Sequence, residues 1–350
     1  MIERASELAR DFAKAEPFRH IVIDDFLDPG FCEHLIEEFP EFDEKLAINE
    51  DGIVGAKAVR ERIRDISPSY ALLDRLAASQ AFRDLVGTIT SIENLQHDPH
   101  YFGGGTHENR HGQGLDAHVD FNYHPITRQH RRLNLIVYLN PEWQDAWGGS
   151  LQLHRDPYLP PSQDEIKVVT PLANRCVIFE TNEYSWHGFK RITLPEDRQH
   201  MSRKSFALYY YTDERPADET APEHSTIYVE EHLPESYHPG MTLEADQLQH
   251  IRNLIGSRDQ HLKRLYGFIK QMNAELAELR ERAGRQAQAP STLSDEAERQ
   301  LADQPELKSQ VDQLRHALRS AKARIQELEN STSWRITAPL RAVKRWFNRD

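Results

Sequence analysis

The rhythm of apolar and polar positions changes once along this chain, near residue 240. Before that point, short apolar runs alternate with turn residues, and aromatics, prolines and glycines are scattered throughout. Runs of this kind predict strands. Residues 133–140 (LNLIVYLN), 175–180 (RCVIFE), 203–211 (RKSFALYYY) and 18–25 (FRHIVIDD) are expected to be strands. Asp28-Pro29-Gly30 turns the chain, and 31–39 (FCEHLIEEF) reads as a short amphipathic helix. Loops such as Trp147-Gly148-Gly149 separate the strands. The expected fold is mainly β, an antiparallel barrel or jelly roll with flanking helices.

Beyond residue 240, Leu248, Ile251, Ile255, Leu262, Leu265, Ile269, Met272, Leu276 and Leu279 recur with 3-4 spacing, interrupted only by Arg258. This is a heptad seam and predicts an α-helical coiled coil. A Gln-, Ala-, Pro- and Ser-rich stretch breaks it, and a second seam follows at Leu307, Val311, Leu314, Leu318, Ala321, Ile325 and Leu328. Such helices pair between chains, fold back on each other or pack on their own domain. The predicted organisation is a domain over 1–235, a linker and first coiled-coil helix over 236–284, a flexible linker over 285–296, a second helix over 297–330, and a tail over 331–350. A homo-oligomer or another coiled-coil partner is expected.

Composition narrows the function classes. Across 350 residues the formal net charge is −13, so no nucleic-acid partner is expected. Cys32 and Cys176 are too few for a disulfide framework. There is no run of about 18 apolar residues to span a membrane, and MIERASELARDFAKAEPF lacks the apolar centre of a signal peptide. A cytoplasmic protein is expected. The tail mixes Trp334, Trp346 and Phe347 with Arg335, Arg341, Lys344, Arg345 and Arg349, and Pro339 limits any helix there. That mixture predicts peripheral contact with a membrane surface or a membrane-bound partner.

The candidate chemistry begins at His118-Val119-Asp120. In a strand, residues i and i+2 project to one face, so an imidazole and a carboxylate point inward together. A second histidine completes a 2-His-1-carboxylate facial triad, which holds Fe(II) and leaves positions open. Among 18 histidines, a lone His-x-Asp also reads as a surface pair. His187, just after the predicted strand RCVIFE, supplies the missing ligand from a facing strand. Its alternative reading is a packed core histidine. Arg203 opens the strand RKSFALYYY. With period two, Arg203, Ser205, Ala207 and Tyr209 share a face, and Phe206 and Leu208 take the other. A guanidinium fork pairs with a carboxylate in bidentate fashion. Arg203 also reads as a solvated strand end, and Lys204, of opposite parity, is the weaker candidate.

The run from about 90 to 212 resembles the prolyl 4-hydroxylase-like branch of the Fe(II)/2-oxoglutarate oxygenases. The matching pieces are HVD at 118–120, YLNPEW at 138–143, Gly148-Gly149-Ser150-Leu151, His187 and RKSFALYYY, with VIDDFLDPGFCEHL at 22–35 like the family's opening strand and helix. The resemblance implies a double-stranded β-helix, with His118, Asp120 and His187 as ligands of Fe(2+). It further implies that Arg203 and Tyr138 hold the 5-carboxylate of 2-oxoglutarate, and that ascorbate serves as a reductant. The implied reaction couples oxidative decarboxylation of 2-oxoglutarate to hydroxylation of a substrate.

Two features depart from the family. Residues 192–200 (ITLPEDRQH) read as a loop insertion, and 100–115 does not align, leaving Tyr101 and His111 as candidates for a further cosubstrate contact. Peptidyl proline is the first substrate class to consider. The tail phrase STSWRITAPLR is similar to C-terminal segments of bacterial glycosyltransferases and methyltransferases of surface-polysaccharide assembly, which would place the enzyme near the inner membrane face, modifying a glycan, a lipid-linked intermediate or an assembly protein. The rival expectation is a coiled-coil scaffold of polysaccharide assembly whose jelly roll binds ligand without turnover.

Overall fold

The computed structural model describes residues 2–47, 57–234 and 236–287. The second seam and the tail lie outside the described residues. The chain divides into two compact units, Met1–His261 and Leu262–Asp350.

The helices of the first unit are α1 (Ala5–Lys14), α2 (Pro29–Glu37), α3 (Pro68–Ala78) and α4 (Gln80–Thr90). α5 (Ala245–Ala287) begins in this unit and extends past its end. Asp28 caps α2, its side chain accepting from Phe31 N, and Pro29 sits in the first turn. The predicted turn is thus the helix start, and α2 begins before residue 31. Ser67 and Pro68 open α3 in the same way. Ser79 ends α3 and caps α4 with its hydroxyl.

The strands are β1 (His20–Ile23), β2 (Ala58–Arg60), β3 (Gln96–His97), β4 (Gly105–Asn109), β5 (Leu115–Val119), β6 (His130–Tyr138), β7 (Leu151–His154), β8 (Ile166–Val169), β9 (Cys176–Glu180), β10 (Trp186–Phe189), β11 (Arg203–Thr212) and β12 (Ile227–Val229). They form two antiparallel sheets. The larger runs β1-β9-β6-β11-β4-β2, with β3 also beside β11, and the smaller runs β12-β5-β10-β7-β8. The strand expected over 18–25 is shorter, His20–Ile23.

The larger sheet has two differently used faces. Leu133, Leu135, Val137, Phe206, Leu208 and Tyr210 point outward and share one core with Leu8 and Phe12 of α1, Leu35 of α2, Tyr70 and Leu73 of α3, and Val86 and Ile89 of α4. The other face turns toward the smaller sheet, where Tyr138, Val177 and Phe179 pack on Leu151, Leu153 and Val169. Burying each such aliphatic side chain is worth about 1.5–3 kcal/mol. The helical layer leaves the inner face free for polar side chains. In the second unit, α5 continues to Ala287, with Leu262, Leu265, Ile269, Met272 and Leu279 exposed. Among the described residues no helix is long and apolar enough to cross a membrane.

Candidate metal centre

β5 and β10 pair antiparallel with His118 directly opposite His187. The two rings lie 4.2 Å apart between centroids. Asp120 follows the end of β5 on the same face. One ligand atom from each of His118, Asp120 and His187 lies within 4.8 Å of the others. Among the described residues no other group of three His, Cys, Asp or Glu side chains is disposed to hold a metal.

Local structure prepares each donor. His118 Nδ1 meets the Asp116 carbonyl at 2.9 Å, and His187 Nδ1 meets the Ser185 carbonyl at 2.9 Å. A carbonyl only accepts, so both Nδ1 atoms carry the proton and both Nε2 atoms present lone pairs. Burial, reinforced by His187, takes the His118 pKa down to about 3. Burial likewise lowers that of His187. Both imidazoles are therefore neutral near pH 7, the form that binds metal. For Asp120, burial pushes the pKa up, but the nearby charge of Arg131 and the Asn134 hydrogen bond hold it well below the usual carboxylate range. Two neutral imidazoles and a carboxylate suit a divalent transition metal such as Fe(II).

Behind Asp120 stand two side chains that the sequence reading did not single out. Arg131, 1% exposed, places Nη2 3.1 Å from Asp120 Oδ2. Its fork also donates to Asn134 Oδ1, while Asn134 Nδ2 donates to Asp120 Oδ2 at 2.8 Å. The guanidinium lies over the Tyr209 ring at 3.6 Å and the Phe121 ring at 4.5 Å.

Arg203 sits on the same inner face at the start of β11. Its Nε donates to the Gly149 carbonyl at 2.6 Å and its Nη2 to the Tyr138 hydroxyl at 3.3 Å. The guanidinium rests on the Phe189 ring, two residues from His187. No carboxylate among the described residues pairs with it, and burial lowers its pKa against the pull of Tyr138. A buried cation without a counter-charge is costly and is relieved by an anionic ligand. Lys204 points the other way, its Nζ over Phe39.

The surrounding motif explains this placement. Asn140 accepts from Lys204 N and donates to Lys204 O and Pro171 O, locking the end of β6 to the start of β11. The Trp143 indole N–H holds the Gly148 carbonyl at 2.8 Å. That fixes the Gly148-Gly149 turn, where both φ angles are near +70°. A Cβ on Gly148 would lie 2.1 Å from Arg191 O, so only glycine fits.

In the unaligned stretch, Tyr101 belongs to the outer layer. Its hydroxyl donates to Asp74, and its ring packs by Phe206. His111 is exposed and accepts from Leu194 N, anchoring the 192–200 loop. Neither faces the centre. The inward positions there are His107, opposite Ser205, and Asn109, opposite Arg203. His107 Nε2 binds the Gly103 carbonyl, which also accepts from the Tyr209 hydroxyl.

Residues 104–211 match the 2OG-Fe(II) oxygenase superfamily. Prolyl 3-hydroxylase OGFOD1 of Mus musculus is 33% identical over 89 residues, which is 25% of this chain and 15% of that protein's length. Among solved structures, a prolyl 4-hydroxylase of Phytophthora capsici aligns at TM-score 0.42 and 21% identity, covering 61% of this chain and 65% of that one. HygX of Streptomyces hygroscopicus, with nickel and 2-oxoglutarate bound, aligns at TM-score 0.38 and 14% identity, covering 59% and 91%. A 2OG-Fe(II) oxygenase domain thus occupies residues 104–211, and its homologues include a prolyl hydroxylase. The class this domain defines is the 2-oxoglutarate-dependent dioxygenases.

Proposed function

We propose that this chain is an Fe(II)- and 2-oxoglutarate-dependent hydroxylase, with a prolyl residue of a protein as its substrate class. The observation that carries the reading is the buried His118, Asp120 and His187 set, facing the same interior as the unpaired guanidinium of Arg203. On this reading His118 and His187 bind iron through Nε2, and Asp120 binds through its carboxylate. Arg203 and the Tyr138 hydroxyl hold the distal carboxylate of 2-oxoglutarate by charge-assisted hydrogen bonds. Iron bound there supplies the activation of dioxygen, coupled to decarboxylation of 2-oxoglutarate to succinate. The protein orients the two, with Phe179 against His187, Phe189 under Arg203 and Ile136 packed on the inner face beside them. The choice of peptidyl proline is supported by the mouse relative, a prolyl 3-hydroxylase.

The test combines two measurements on purified full-length protein. Fe(II) and labelled 2-oxoglutarate should give succinate. Proteins from cells with and without the gene should differ by one oxygen atom on a proline. Metal binding without succinate under any substrate would instead favour a ligand-binding scaffold.

A further inference from the structure

The superfamily match ends at residue 211, but the wall of the metal centre extends further. β5 carries His118 and has β10 on one side and β12 on the other. Register sets Tyr228 of β12 opposite His118, with Ile227 opposite Val119 and Val229 opposite Ala117. Opposed residues of an antiparallel pair project to one face, and the Tyr228 ring lies 5.2 Å from the His118 ring, tilted 32°. On the far side of Tyr228 stacks His261 of α5, at 5.4 Å and 18°. His261 Nδ1 is bonded to the carboxylate of Glu230, two residues along the chain from Tyr228. Four rings therefore run in a column from His187 through His118 and Tyr228 to His261.

We propose that Tyr228 and His261 are positioning residues for the metal ligand His118, so that side chains beyond the superfamily match complete the centre that the oxygenase segment begins. This rests on reading His118, Asp120 and His187 as the metal-binding set. The bond from His118 Nδ1 to its own chain at Asp116 selects the tautomer, but a single hydrogen bond lets the ring tip about it. One face of the ring meets His187, which is itself a ligand. Tyr228 is the ring against the other face. β12 is a three-residue strand at the edge of the smaller sheet. His261, tied to Glu230, backs Tyr228 and keeps it against His118. Neighbours that orient a ligating histidine are worth about 10–100-fold in metal affinity.

The test uses full-length protein with Co(II), which reports ligand geometry through its visible absorption. Affinity is measured by titration, alongside Tm of the metal-free protein. Tyr228→Leu and His261→Ala should each weaken Co(II) binding about tenfold and shift the absorption bands. Tyr228→Phe, which keeps the ring, should weaken binding less than Tyr228→Leu. Wild-type affinity and an unchanged spectrum in Tyr228→Leu and His261→Ala, whatever their Tm, would overturn the proposal. If Tyr228→Leu does not fold, His261→Ala decides alone, because its side chain lies on a partly exposed helix. A wild-type protein that binds no Co(II) would remove the metal-site reading itself; wild-type binding that the variants match removes only this inference.

Discussion

Arg131 and Asp120 form a buried ion pair, Nη2 to Oδ2 at 3.1 Å, with the guanidinium held between two aromatic rings. Asn134 donates to the same oxygen, Oδ2. The carboxylate is thus gripped before any metal arrives, and the grip leaves Oδ1 turned toward His118. Arg131→Met should weaken metal binding about 10–100-fold, with Arg131→Lys between it and wild type. Isothermal titration with Mn(II) measures this. Unchanged affinity in Arg131→Met would mean that the pair serves stability alone.

His118→Ala, Asp120→Ala and His187→Ala should each abolish Fe(II)-dependent succinate formation and leave the circular dichroism spectrum unchanged. None of the three side chains belongs to the apolar core around Leu133 and Leu135 that the helices cover. Any one variant with full turnover and full iron affinity would remove that residue from the set.

Arg203→Ala should raise the 2-oxoglutarate concentration needed for half-maximal rate, at a cost of about 2–4 kcal/mol in cosubstrate binding. Lys204→Ala should change it little, because Lys204 lies on the outer side of β11 against Phe39. Steady-state kinetics with 2-oxoglutarate as the varied substrate gives the ranking, and the reverse order would show that another group holds the carboxylate.

Gly149→Ala should act on the same constant from a distance. The new Cβ would lie 3.0 Å from the Trp143 ring and 3.2 Å from Arg203 Cδ, at a φ of +71°. Backbone strain of this kind costs about 1–3 kcal/mol, and it falls on the carbonyl that receives Arg203 Nε. Both Tm and 2-oxoglutarate affinity should drop. A drop in Tm alone would uncouple the turn from the cosubstrate.

The exposed seam of α5 should pair with a second copy of the chain. Leu265 is 54% exposed and Met272 53%, more apolar surface than a lone helix keeps in water without a partner. Full-length protein should sediment as an oligomer at micromolar concentration, and Leu265→Glu with Met272→Glu should dissociate it. A monomeric wild type would leave the chain's own second seam as the occupant.

Much of the larger sheet could be read directly, because alternation along RKSFALYYY sets Phe206, Leu208 and Tyr210 on one face and Arg203, Ser205 and Ala207 on the other. The same rule fails at Arg131. Counting back by twos from Tyr138 puts Arg132 inside. The pairing of β6 with β11 shifts register where Tyr210 faces Leu133 and Tyr211 faces Arg131, leaving Arg132 as the extra residue on β6; Arg131 turns inward instead, and Arg132 pairs with Glu219. α3 and α4 escaped because Ser79 serves as the end of one and the start of the next, which interrupts the helical period after eleven residues. The stretch THEN at 106–109 offered no pattern, since its inward positions, His107 and Asn109, are polar. A strand lining a polar chamber inverts the signal by which strands are recognised.

The cross-strand pair of His118 and His187 has a thermodynamic consequence. An ion bound there would tie β5 to β10 across a long stretch of intervening chain, and an unfolded chain offers no such pair of neighbours. Metal would then bind the native state almost exclusively. Stability would rise with free metal concentration, by about 2.7 kcal/mol at a hundred times Kd. Chelation would lower the melting temperature even where no catalysis is being measured, so the ion would serve as a fold-stabilising ligand as well as a reagent.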